Sequence, residues 1–125
     1  MSAFYIMKYV GSAGVGGGTL YIGKGIIVGI DVEGGKYEGK YVVDNGRMKG
    51  TVKMTAPAGG SQLITGQRVP GGAQFDLTFD FPSDSFADGS PQKMLGVGGL
   101  PIQVSFEKVR DMPALLISIW KRPCC

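Results

Sequence analysis

The chain has 125 residues, of which 43% are hydrophobic and 18% charged, and a net charge of +3. That length encloses one hydrophobic core and no second one, the hydrophobic content excludes a disordered chain, and the mild charge lacks the concentrated positive field of a dedicated nucleic-acid binder. The absence of histidine removes the commonest general base near neutral pH, the Ser-His and Cys-His nucleophile pairs and histidine metal ligands, so neither an enzyme nor a metal or other cofactor is expected.

The 22 glycines, without a Gly-X-Y period, imply many tight turns between short strands. Nowhere does an apolar run approach the ~20 residues that span a bilayer. The start Met1-Ser2-Ala3, followed by an apolar stretch broken by Lys8, lacks the pattern of an export signal. A cytoplasmic protein that does not engage membranes is the expectation. Cys124 and Cys125 are adjacent at the end and close no loop, so the core has to hold without disulfides.

The first predicted strand covers 4–10. It places Phe4, Ile6 and Val10 on one face and Tyr5, Met7 and Tyr9 on the other, leaving few polar side chains to meet water. One face is expected to be covered by a second subunit, with Tyr5, Met7 and Tyr9 as the candidate dimer face. Gly14-Val15-Gly16-Gly17-Gly18 follows, but the chain then enters a strand at 19–22, where a dinucleotide fingerprint would open a helix. It reads as a flexible hairpin connection. Strands at 19–22 and 26–30, separated by Gly23-Lys24-Gly25, form the next hairpin.

Asn45-Gly46 is the dipeptide that best supplies the two positive φ angles of a type I′ turn. Centring a hairpin on it pairs Asp44 with Arg47, Val43 with Met48, Lys40 with Thr51, Gly39 with Val52, Glu38 with Lys53 and Tyr37 with Met54. Opposite charges meet, and apolar residues meet apolar or small ones, whereas a slip by one would turn each apolar face outward. The polar face collects Lys36, Lys40, Arg47, Lys49 and Lys53, while Tyr37 and Tyr41 point to the other side. A single-strand nucleic-acid platform needs aromatic rings among the cations, so nucleic acid is not the expected partner. Asp44, Asn45, Arg47, Lys49 and Lys53 remain candidate contacts for a protein partner.

Weaker strands follow at 62–65 and 93–97. Phe75, Leu77, Phe79 and Phe81 alternate with polar residues, as do Leu100, Ile102, Val104 and Phe106, and each run gives one apolar and one wet face. Asp76 and Asp80 are about 13 Å apart along their strand, beyond acid-base spacing. Asp80, Asp84 and Asp88 miss the alternate-position ligands of a calcium loop and read as turn residues. A last strand is predicted at 114–119. No helical period is sustained, and eight or nine sequential strands imply an all-β, antiparallel up-and-down meander closed into a roughly eight-stranded barrel. The barrel is assigned residues 1–120, with 121–125 a disordered tail. Tyr41, Met48, Met54, Phe75, Leu77, Phe79, Ile102 and Phe106 face its interior. Self-packing of these side chains is expected, with an enclosed small apolar ligand as the alternative.

The segment Gly25-Ile26-Ile27-Val28-Gly29-Ile30-Asp31, followed by Tyr37-Glu38-Gly39, resembles the GrlR-like family of small bacterial regulatory proteins. The shared features are a glycine-rich early hairpin, Gly-x-Asp at a strand end (Gly29, Asp31) and Tyr-x-Gly opening the next strand (Tyr37, Gly39). More loosely, the similarity runs from Tyr5 to Pro113. It implies an eight-stranded lipocalin-like barrel, commonly dimeric, that acts as a negative regulator of type III secretion by sequestering a transcriptional activator. In the family's namesake an acidic loop after the Tyr-x-Gly strand engages the activator, where this chain has Asp44-Asn45-Gly46-Arg47. The expected function is therefore that of a homodimeric, non-enzymatic adaptor binding another protein, with carriage of a small hydrophobic ligand as the alternative.

Overall fold

A computed structural model describes residues 2–112 of the chain. The strand expected at 114–119, the tail 121–125 and the cysteine pair lie outside the described residues. Ten strands follow one another: β1 (Ser2–Gly11), β2 (Gly14–Gly23), β3 (Ile26–Asp31), β4 (Lys36–Asp44), β5 (Arg47–Thr55), β6 (Ser61–Gln62), β7 (Arg68–Val69), β8 (Gln74–Pro82), β9 (Gln92–Leu95) and β10 (Pro101–Asp111). Eight form one antiparallel sheet in the order β8-β5-β4-β3-β2-β1-β10-β9, and β6 and β7 make a separate small hairpin. The sheet coils until β8 and β9 lie alongside each other. The expected all-β meander is present as a nearly closed barrel, with a seam between β8 and β9 that no ladder bridges among the described residues.

Side-chain alternation sets inside and outside. Every expected pair of the β4–β5 hairpin is observed, from Asp44 with Arg47 to Tyr37 with Met54. Asn45 and Gly46 carry φ angles of 51° and 76°, as the two-residue turn demands. The ionic partner of Arg47 is nevertheless Asp80 on β8, at 2.8 Å. Because β5 also pairs with β8, the long Arg47 side chain reaches across the outer face to a diagonal neighbour.

Two expectations at the N-terminal end are corrected. Gly14 to Gly18 are strand residues, not a flexible connection, because each pairs with β1 from Gly11 to Met7. The assignment of Tyr5, Met7 and Tyr9 to a dimer face fails as well: Tyr5 and Met7 are buried in the core and Tyr9 is half-buried against it. Both faces of β1 are apolar, so alternation alone leaves its orientation open. Pairing decides it by setting Tyr5 beside Leu20 and Met7 beside Phe106, which are core residues. The weak strand at 62–65 shrinks to β6, and that at 93–97 becomes β9 followed by one 3-10 turn at Val97–Gly99.

The two barrel ends differ. Phe86, from the β8–β9 loop, is buried at the end where β1 begins, its ring 5.4 Å from that of Tyr5 and 5.7 Å from that of Phe106. At the opposite end the β6–β7 hairpin folds over as a flap. Ala13 N–H donates to the Ile64 carbonyl at 2.7 Å, and the Ser61 hydroxyl donates to Glu33 Oε2 at 3.0 Å, fixing the flap to the β1–β2 and β3–β4 turns.

Candidate ligand-binding cavity

Side chains pack the barrel interior around Ile22, Met48, Phe81 and Phe106. Beyond them a cavity of about 410 Å³ opens at the flap end. Met48, Met54, Leu77, Phe79, Ile102 and Phe106 line it, as do Leu20, Ile22 and Ile27. Tyr41 is buried in the surrounding core and Phe75 packs half-buried against it, neither reaching the cavity. The expected self-packing is seen through the core, and it gives way to open space at the flap end.

Glycines at inward-facing positions let large side chains pack closely on the sheet. Around the barrel, Leu20 pairs with Gly29, Ile27 with Gly39, and Gly50 with both Tyr41 and Phe79. A Cβ at Gly29 would lie 2.2 Å from Leu20 Cδ2 and one at Gly50 2.9 Å from Phe79 Cζ, so these large side chains occupy the space over bare backbone. Gly16 shows how tight this fit is: a Cβ there would be 2.3 Å from the Tyr9 ring. Tyr9 is thus laid flat across β2 towards β3.

That placement assembles a polar cluster at the flap end. Asp31 closes β3 at an inward-facing position, and its Oδ1 accepts the N–H groups of Glu33 at 3.0 Å and Gly35 at 2.8 Å, bracing the β3–β4 turn. Its Oδ2 accepts the Tyr37 hydroxyl at 2.7 Å and the Tyr9 hydroxyl at 3.3 Å. All three residues line the cavity. Burial, reinforced by the charge of Asp31, raises the Tyr9 hydroxyl to about 12. Burial raises Tyr37 further still, with Tyr9 and Asp31 adding to the effect. Both phenols are protonated donors at neutral pH. Around the rim, Val15 and Val32 are 76% and 81% exposed, giving the mouth apolar lips.

Asp31 and Tyr37 stand out in the sequence as a strand-end and strand-start pair, while Tyr9 and the flap at 61–65 carry no signal of joining them. Asp44, Asn45, Arg47, Lys49 and Lys53 are exposed on the outside and do not line the cavity. On that outer face Lys53 lies between Glu38 and Asp76, and Lys49 is paired with Asp80. The alternating signs leave no continuous cationic stripe there. Lys49, Thr51, Asp80 and Lys93 border a shallow groove over the β8–β9 seam. No helix among the described residues is long and apolar enough to cross a membrane. Comparison with family models, with curated proteins and with solved structures finds no match to this chain.

Proposed function

We propose that this chain is a cytoplasmic, non-enzymatic carrier that binds a small, largely apolar molecule inside its barrel. The observation that carries this reading is the interior volume. At about 410 Å³ it falls in the range of small-molecule sites, apolar walls with a few convergent polar groups.

Titration with the neutral dye Nile red tests the reading. Wild type is expected to bind it saturably, and Leu77→Trp, which grows a half-buried wall residue into the cavity, is expected to weaken binding at least about tenfold, with its far-UV circular dichroism unchanged. Failure of wild type to bind, or equal binding by a folded Leu77→Trp, overturns the reading.

A second reading, the protein-binding role that the GrlR-like resemblance implies, is favoured by the outer face of β1–β3. Phe4, Ile6, Ile26, Val28 and Ile30 are exposed there, and the Tyr21 ring packs on Phe4 at 5.8 Å. Its rows read Glu107, Ile6, Thr19, Ile30, Lys36 and Arg110, Phe4, Tyr21, Val28, Glu38. Between opposite charges at the two ends, the first row carries Ile6, Thr19 and Ile30 and the second Phe4, Tyr21 and Val28. A two-fold axis lying in this face, along or across the strands, sets Glu107 of one copy against Lys36 or Arg110 of the other. A second copy of this chain is therefore the occupant that the face fits.

A further inference from the structure

We infer that the molecule held in the barrel carries a cationic, hydrogen-bond-donating head at the flap end, that of an alkyl ammonium and not of an alkyl carboxylate. This rests on the carrier reading and specifies its ligand.

Donors and acceptors decide it. A phenol has one hydrogen to give. Tyr9 and Tyr37 both direct theirs at Asp31 Oδ2, so the hydroxyls have only lone pairs left for the cavity. On the flap, the Ser61 hydroxyl donates to Glu33 and that of Thr65 to Gln67 Oε1 at 2.8 Å. Among the described lining side chains only Gln62 retains an amide donor, and it is exposed. The polar end of the cavity is thus a field of acceptors, and the head that satisfies acceptors is a donor.

Charge points the same way. Among the described residues, Asp31 and Glu33 are the charged residues in the cavity wall, and no lysine or arginine joins them. A carboxylate entering this end would be desolvated beside two acids with no cation to pair with, and such a charge is strongly disfavoured. An ammonium meets the reverse situation: two phenol oxygens polarised by their bonds to a carboxylate, the carboxylate itself behind them, and Glu33 at the rim. Charge-assisted hydrogen bonds of this kind are the strong ones.

The experiment compares octylamine, octan-1-ol and octanoate as competitors of Nile red on the wild-type chain at neutral pH, so that tail length is constant and only the head varies. Octylamine is expected to displace the dye at least about tenfold more tightly than octanoate, with octan-1-ol between them. Equal affinities, or a preference for octanoate, overturn the head assignment while leaving an apolar carrier in place. Displacement by none of the three overturns the head assignment, and dye binding by wild type then reports separately on the carrier reading. Asp31→Asn, checked for folding by circular dichroism, is expected to bring octylamine to within about threefold of octan-1-ol; an undiminished amine preference in the folded variant overturns the role given to Asp31. Tyr37→Phe keeps the ring and loses one acceptor, so it supplies the same comparison if Asp31→Asn does not fold.

Discussion

Tyr9, Gly16, Asp31 and Tyr37 act as one unit, since each fixes the position of another. Gly16 gives the Tyr9 ring its bed, Tyr9 and Tyr37 share one oxygen of Asp31, and the other oxygen braces the turn that leads into Tyr37. The same unit sets an alkaline limit on stability. An unfolded tyrosine ionises near 10, while the folded Tyr9 is held to about 12 and Tyr37 is also raised. Because folding raises these values, the contribution is complete below pH ~10 and is lost as pH rises through the folded values. Urea midpoints are expected to fall from about pH 10 upward, and Tyr9→Phe is expected to make that fall shallower. A midpoint that falls equally steeply in the variant would exclude Tyr9 as a source. Asp31 and Tyr37 are noticeable in the sequence, but their meeting with Tyr9 is not, because β2 separates β1 from β3 and Tyr9 reaches the β3 end only by lying over Gly16.

Among the elements, the β4–β5 hairpin is the most fully written in local sequence. Its turn is set by Asn45-Gly46 and its register by charge and apolar pairing, and both are observed. Replacing Gly46, at φ 76°, with alanine is expected to cost about 1–2 kcal/mol, because an L-residue pays for the left-handed conformation. Arg47→Ala removes an ion pair whose side chains are 44% and 53% exposed, and is expected to cost under ~1 kcal/mol. Chemical denaturation of the two variants measures the difference, and a larger loss for Arg47→Ala would reverse the ranking of turn over ion pair. β2 was less legible. Its glycines at 14–18 have no apolar alternation to announce a strand, and they are strand only because β1 supplies hydrogen bonds along their whole length.

At the scale of the whole molecule, inside and outside are separate surfaces with separate chemistry: an acceptor-lined cavity within, and an apolar face bordered by opposite charges without. The outer face predicts a dimer. Val28, exposed in the middle of that face, is not part of the cavity wall, so Val28→Lys is expected to convert a dimer to a monomer by light scattering at micromolar concentration, with folding unchanged. A monomeric wild type would remove this interface. By itself the sequence determined the all-β class, the central hairpin and its register, and which faces of β8 and β10 are apolar, because period-two alternation and turn chemistry are local. Only the tertiary structure decided which apolar face of β1 turns inward, that a cavity opens at the flap end, and that Tyr9 joins Asp31 and Tyr37. Those outcomes depend on how strands distant in sequence lie against one another once the sheet has curled, and curling is a property of the assembled sheet.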